Sequence, residues 1–131
     1  MSQISCLGGN GSGPSRCQVD LSRAGGSIVV SVSGELDAAT VGLLEEPLLH
    51  AAAAHQDAVV DLSGCGFIDS AVIAALVTAQ RCMTRGGASL KVVGKAPSQP
   101  LRVLEITGLD DHLPVCETVA DAVGQMEATT G

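Results

Sequence analysis

The stretch AVVDLSGCGFIDSAVIAALVTAQRCMTRGG, residues 58–87, decides the fold of this chain. Residues 58–62 are branched and almost continuously apolar, which is typical of a strand covered on both faces. Residues 63–66 contain two glycines and a serine, and they predict that the strand ends there in a turn. Along residues 71–85 apolar side chains recur every three or four positions, which predicts a helix ended by the two glycines that follow. The stretch therefore encodes a strand, a loop and a helix in succession.

Asp69 and Ser70 fall at the predicted start of this helix. Both residue types are preferred as helix N-caps, so the simplest interpretation is that they cap the helix. The functional interpretation is that Ser70 is presented to a partner, such as a kinase. A phosphate would be tolerated at the positive end of a helix dipole while adding about −1.5 to −2 charge units. The local pattern permits both interpretations.

The composition bounds the class of protein. The chain has 131 residues, a net charge of −7, one Phe and neither Tyr nor Trp, which predicts one domain with an aliphatic core. The basic residues are scattered and stacking aromatics are absent, which argues against direct binding of nucleic acid. No apolar run has the length of a membrane span and no leader pattern is present, so we expect a soluble, cytoplasmic protein without a membrane partner.

The cysteines and histidines predict neither a cofactor nor a metal site. The five cysteines form no CxxC pair and have no histidine at zinc-ligand spacing. Cys65, in the predicted loop before Ser70, is the candidate thiol for redox chemistry. Its nearest charges are acidic, which does not favour a reactive thiolate.

The rest of the chain predicts one α/β domain. Residues 1–16 are rich in glycine and serine and predict a flexible N-terminal tail. Two alternating runs joined by a glycine-containing turn predict an antiparallel hairpin. Thr40 is the predicted N-cap of a first helix, which Pro47 should bend. Further strands alternate with helices, so we expect a small, mixed, mostly parallel sheet in a single domain over residues 17–127.

Four segments of the chain together resemble a known family: residues 34–37 (GELD), 60–70 (VDLSGCGFIDS), 90–94 (LKVVG) and 103–110 (VLEITGLD). In this order, over residues 17–126, they are similar to a STAS domain of the anti-anti-sigma factor type (anti-sigma factor antagonists). The resemblance implies helices packed to one side of the sheet. It also implies a bacterial regulator of transcription, such as in a stress response, that binds an anti-sigma factor and so frees a sigma factor.

The resemblance also implies a switch and a binding surface. The anti-sigma factor is often a serine kinase, and the serine matching Ser70 is phosphorylated, which ends binding. We expect Asp69 to present this hydroxyl and Asp37 to contribute charge. Val72 stands where the family usually has glycine, so branched bulk is expected near the partner. The expected partner-binding residues are Glu35, Asp37, Ser63, Phe67, Asp69, Ser70 and Val72, and we expect a monomer or weak dimer.

Two other classes of function stay open. An enzyme using Ser70 as nucleophile would need a positioned base, but no Gly-x-Ser-x-Gly motif is present and His112 is the one histidine downstream. We therefore expect no enzyme activity and no catalytic residue. A non-phosphorylated STAS scaffold or small-ligand sensor, in which Ser70 is silent, is the second alternative.

Overall fold

The computed structural model describes residues 2–5, 17–109 and 112–130. These residues form six strands and four helices in one sheet-based domain. The elements are β1 Ser2–Ser5, β2 Cys17–Ala24, β3 Ser27–Leu36, α1 Gly42–Ala53, β4 Ala58–Ile68, α2 Ser70–Arg85, β5 Leu90–Val93, α3 Gln99–Ile106, β6 Val115–Cys116 and α4 Val119–Thr130.

The sheet is mixed, with its strands in the order β1-β2-β3-β4-β5-β6. The pairs β1–β2 and β2–β3 are antiparallel, while β3–β4, β4–β5 and β5–β6 are parallel. The β2–β3 hairpin turns through two glycines, and β6 is a two-residue edge strand. The predicted fold class, an α/β domain with a small mixed sheet, is confirmed.

Alternate residues along the strands face two apolar clusters. Val30, Val60 and Val92 point to the larger cluster, where α1, α2 and α3 contribute residues such as Leu44, Leu76 and Leu104. The period of two along a strand sends the preceding or following residue to the opposite face. The three helices α1–α3 therefore pack on one side of the sheet, as the resemblance implied.

The helix α4 differs, because it packs on the opposite face of the sheet. Its residues Ala122, Val123 and Met126 form a second cluster with Val29 and Val59. The apolar stripe of α4 specifies that one helix face is buried, but not on which face of the sheet.

The structure corrects the predicted N-terminal tail. Residues Ser2–Ser5 form β1, which pairs antiparallel with β2 from Ser2 opposite Leu21 to Ser5 opposite Gln18. The rest of the predicted tail, residue 1 and residues 6–16, lies outside the described residues. The sheet therefore includes residues 2–5 as well as the strands from residue 17 onward.

The predicted turn at residues 63–66 is also wrong. The strand β4 continues through it to Ile68, because β3 pairs with it as far as Leu36 opposite Ile68. The register shifts between Ser31 and Ser33 and between Gly34 and Glu35, so this extension is irregular. It carries the chain directly into α2.

Candidate functional site

Asp69 is the N-cap of α2. Its backbone is extended (φ −119°, ψ −174°), and its Oδ1 accepts hydrogen bonds from Ala71 N at 3.0 Å and Val72 N at 3.3 Å. These amides belong to the first turn, where backbone N–H groups have no partner within the helix. Asp69 therefore performs the capping that either residue of the pair could have performed.

The second carboxylate oxygen of Asp69 reaches another element. Oδ2 accepts a hydrogen bond from Ala38 N at 3.1 Å, in the turn that joins β3 to α1. One side chain thus joins the start of α2 to a segment 31 positions earlier in the chain. Asp69 fixes the relative position of two of the predicted binding segments.

Ser70 is the first residue of α2 and is exposed. Its hydroxyl makes no hydrogen bond to any residue in the described part of the chain, in contrast to the carboxylate beside it. The hydroxyl belongs to an exposed residue at the positive end of a 16-residue helix. It is available to a partner or a kinase without loss of the cap.

Asp37 organises the turn before α1. Its Oδ1 accepts hydrogen bonds from Ala39 N at 3.0 Å, Thr40 N at 3.2 Å and Thr40 Oγ1 at 3.1 Å. Thr40 Oγ1 in turn accepts a hydrogen bond from Asp37 N at 3.0 Å. The predicted capping of α1 by Thr40 is wrong, since α1 begins after Val41 without a side-chain cap and Thr40 closes this earlier turn.

Glu35 and Phe67 are brought together at the ends of β3 and β4. They are direct partners in the parallel register, and both are exposed, Phe67 by 40%. The preceding Gly34 has φ +92°, a conformation that glycine adopts without steric cost, at the point where the register shifts. An acidic and an aromatic side chain thus stand side by side next to the start of α2.

Two predicted binding residues stand apart from this cluster. Val72 is fully buried, so its side chain packs into the core and is removed from the expected contact surface. Ser63 is exposed, but its N–H and hydroxyl donate to Asp61 Oδ1 at 2.9 and 2.6 Å. It lies five residues before Ile68 along β4, or roughly 16 Å at the usual rise of a strand.

Cys65 is buried in β4, between Ser63 and Phe67 along the strand. Burial raises the pKa of its thiol, and Glu35 adds a smaller effect in the same direction, while hydrogen bonds to the backbone of Phe67 and Leu36 oppose it. The thiol donates to Phe67 O at 3.2 Å. A raised pKa disfavours the thiolate, which is the nucleophilic form.

Gln99 is a site residue that the sequence reasoning missed. Its Oε1 accepts from Ile68 N at 2.8 Å and its Nε2 donates to Ile68 O at 3.0 Å, directly before Asp69. No sequence motif indicates this contact, because it joins residues 31 positions apart and depends on how α3 packs against β4. It had no signal in the sequence.

The histidines near α2 lie away from Ser70. His55 Nδ1 contacts Gly86 O at 3.1 Å, beyond the far end of α2, and the backbone of His112 accepts a hydrogen bond from Gln80. Gln80 is ten residues along α2 from Ser70, or about 15 Å at the rise of a helix. Among the described residues, no group of three His, Cys, Asp or Glu could hold a metal ion.

Comparison with known proteins identifies the family of this chain. The family model described as "Mlab, STAS domain" matches residues 15–117. The chain belongs to the STAS domain family. Among the curated proteins there is no match.

Solved STAS structures include several anti-sigma factor antagonists. One from Mycobacterium paratuberculosis is 28% identical with a TM-score of 0.76, and the match covers 85% of this chain and 94% of that one. A STAS domain protein from Planctomyces limnophilus is 21% identical with a TM-score of 0.72, covering 83% and 97%. The phosphorylated form of the Bacillus cell fate determinant SpoIIAA is 17% identical with a TM-score of 0.64, covering 82% and 97%.

The predicted STAS domain is thereby confirmed, and the chain is similar to solved structures described as anti-sigma factor antagonists. The anti-sigma factor antagonists among the similar solved structures are regulators rather than enzymes by their descriptions. In the part of the STAS domain that the structure describes, every helix is too short or too polar to cross a bilayer.

Proposed function

We propose that this protein binds an anti-sigma factor that is a serine kinase, and so releases a sigma factor for transcription in the bacterial cytoplasm. Phosphorylation of Ser70 ends the binding. The protein acts as a monomer or weak dimer, through a surface formed by the start of α2, the turn after β3 and the end of β4. Ser70 is the phospho-acceptor, and Glu35, Asp37, Phe67 and Asp69 form the surface around it.

One observation carries this proposal: the cap and the exposed hydroxyl belong to different residues. Asp69 accepts the first-turn amides, while Ser70 is exposed and its hydroxyl has no partner among the described residues. A serine that capped the helix would have its hydroxyl engaged by the first-turn amides and not presented to a partner. Here the charge of Ser70 can change without loss of the cap.

The burial of Val72 removes an objection to this function. If its branched side chain pointed outward at the family's glycine position, it would hold the partner's backbone away from the helix. The side chain is instead fully buried in the core. The outer surface of the first turn is formed by the exposed Ser70 and the partly exposed Ala71 and Ile73, without the side chain of Val72.

A pull-down with purified variants tests the proposal. The baits are wild type, Ser70→Ala, Ser70→Glu and Ala120→Glu, incubated with cytosol of the organism that encodes the chain. Ala120 is exposed in the first turn of α4, on the other face of the sheet, so its variant adds the same charge in a similar helix position. We expect an anti-sigma kinase on every bait except Ser70→Glu.

Each outcome has a consequence. Equal recovery by all four baits would keep the binding function and remove Ser70 as its switch. Loss on both glutamate variants would indicate a general effect of charge rather than a contact at Ser70. Incubation of the captured kinase with ATP should place phosphate on Ser70 by mass spectrometry, and phosphate at another residue would contradict the assignment.

The alternative function is a STAS scaffold or small-ligand sensor in which Ser70 is not phosphorylated. One observation favours it: the matching family model is described by Mlab rather than by an antagonist. Recovery of no anti-sigma factor on any bait would select this alternative. A ligand that binds the folded state would then raise the midpoint of thermal unfolding in the absence of a protein partner.

A further inference from the structure

The strand β4 is longer than its neighbour β5. The strand β5 pairs with β4 only from Ala58 opposite Leu90 to Asp61 opposite Val93. The strand β4 continues for another seven residues to Ile68, and along this part β3 pairs with its other edge. The last residue before the Asp69–Ser70 turn therefore has a strand partner on one side only.

Gln99 supplies the contact on the other side. Its side-chain amide accepts from Ile68 N at 2.8 Å and donates to Ile68 O at 3.0 Å. One donor and one acceptor in a planar group are what the peptide of a neighbouring strand would offer. The amide thus completes the pairing of β4 where β5 has ended.

Gln99 stands at the start of α3, which is capped and packed against the core. Gln99 follows Ser98, whose hydroxyl accepts from Leu101 N at 3.3 Å as the N-cap of α3. The helix is anchored by the buried Leu104, and Leu101 packs so closely on Gly94 that a Cβ there would lie 3.0 Å from Leu101 Cδ2. Gln99 therefore reaches Ile68 from a packed and capped helix rather than from a loop.

We propose that Gln99 is a positioning residue for the Asp69–Ser70 turn. By holding both polar atoms of Ile68, it fixes the direction in which the chain enters α2. The Asp69 carboxylate must meet Ala71 N, Val72 N and Ala38 N together, at 3.0, 3.3 and 3.1 Å, and this depends on that direction. The functional part of the claim rests on the role proposed above for Ser70.

Amide hydrogen exchange on the isolated protein tests the positioning. Gln99→Leu keeps the bulk of the side chain and removes both hydrogen bonds. We expect the Ala38 amide, which Gln99 does not touch, to exchange roughly tenfold faster, as do the Ala71 and Val72 amides, because the Asp69 carboxylate loses its fixed place. Wild-type exchange rates at all three amides in folded Gln99→Leu would overturn the proposal.

Gln80→Leu is the matched control. It makes the same substitution and removes one bond from a glutamine to a backbone carbonyl, Gln80 Nε2 to His112 O at 2.7 Å, in α2 itself. We expect it to leave exchange at Ala38 unchanged. If Gln99→Leu does not fold, Gln99→Glu replaces it, since a carboxylate can accept from Ile68 N but cannot donate to Ile68 O. The same faster exchange at Ala38 is expected, and an unchanged rate would again overturn the proposal.

A second measurement separates the positioning from the proposed function. The probe is the anti-sigma kinase captured by wild type in the pull-down. We expect Gln99→Leu to bind it about tenfold more weakly and Gln80→Leu to bind it as wild type does. Unchanged binding by Gln99→Leu would overturn the functional part of the claim. If wild type captures no such kinase, the proposed function fails, while the exchange rates still decide whether Gln99 positions the turn.

Discussion

Replacing Asp69 tests whether one carboxylate serves two elements. Asp69→Ala removes the cap of α2, which typically contributes about 1 kcal/mol, and also the bond to Ala38 N, which at an exposed site contributes about 0.5 to 1 kcal/mol. We expect the free energy of unfolding to fall by roughly 1.5 to 2 kcal/mol. Ser98→Ala is the matched control, because Ser98 caps α3 through a single bond to Leu101 N. It should cost about 1 kcal/mol or less.

Asp69→Asn separates the two contributions. Asparagine caps a helix about as well as aspartate, so the bonds to Ala71 N and Val72 N can be kept. Its amide nitrogen would then face Ala38 N, where a donor meets a donor. We expect a loss of about 0.5 to 1 kcal/mol, between wild type and Asp69→Ala.

Urea denaturation followed by far-UV circular dichroism measures these differences. The chain has neither Trp nor Tyr, so intrinsic fluorescence would report little. At a urea slope of about 1.5 to 2 kcal/mol per M, Asp69→Ala should lower the midpoint by about 1 M at unchanged slope. If Asp69→Ala matches Ser98→Ala and Asp69→Asn matches wild type, the bond to Ala38 contributes nothing and the reasoning fails.

Three further predictions concern the surroundings of the site. Thr40→Val removes the hydroxyl that bonds with N, O and Oδ1 of Asp37 and should cost about 1 kcal/mol in the same urea assay, whereas no loss would mean that the turn holds without these bonds. Gly34→Ala forces a Cβ at φ +92° and should cost about 1 kcal/mol or more, while Gly26→Ala, with open space around its Cβ, should cost less, and equal costs would contradict this. The raised pKa of Cys65 means that the folded state holds the thiol proton more strongly than the unfolded state. Stability should therefore fall as pH rises past the ordinary thiol value, and a fall of the same size in Cys65→Ala would contradict this origin.

The local signals in the sequence were sufficient for the helix starts. Ser98 and Thr118, residue types that favour N-caps, cap α3 and α4 with bonds to Leu101 N and Asp121 N. Such caps depend on residues three positions apart, so a short window of sequence contains the whole interaction. The exception is Thr40, whose hydroxyl is used by Asp37 in the preceding turn. Asp37 and Thr40 both favour capping and lie three positions apart, so the sequence alone does not decide where the helix begins.

The features that the sequence did not reveal are those fixed by distant partners. Residues 63–66 have the composition of a turn, yet pairing with β3 holds them extended, because a strand edge can override local preference. The contact of Gln99 with Ile68 and that of Asp69 with Ala38 each span 31 positions. The sequence predicted the candidate surface at Ser70. The residues that hold this surface in place, Gln99 and Ala38, lie in other parts of the fold and were not predicted.

The register of α2 gives one last prediction, since it decides which of two neighbouring residues is free to change charge. The helix begins at Ser70, so the carboxylate of Asp69 already occupies the first-turn amides. A negative charge at Ser70 gains from the helix dipole about 0.3 to 1 kcal/mol and loses a similar amount to repulsion by Asp69. Ser70→Glu should therefore unfold within about 0.5 kcal/mol of wild type. A loss well above 1 kcal/mol in urea would mean that the hydroxyl supports the fold, and a phosphate there would then act by unfolding the start of α2. A near-zero change, together with loss of partner binding, would place the whole effect of the charge at the recognition surface.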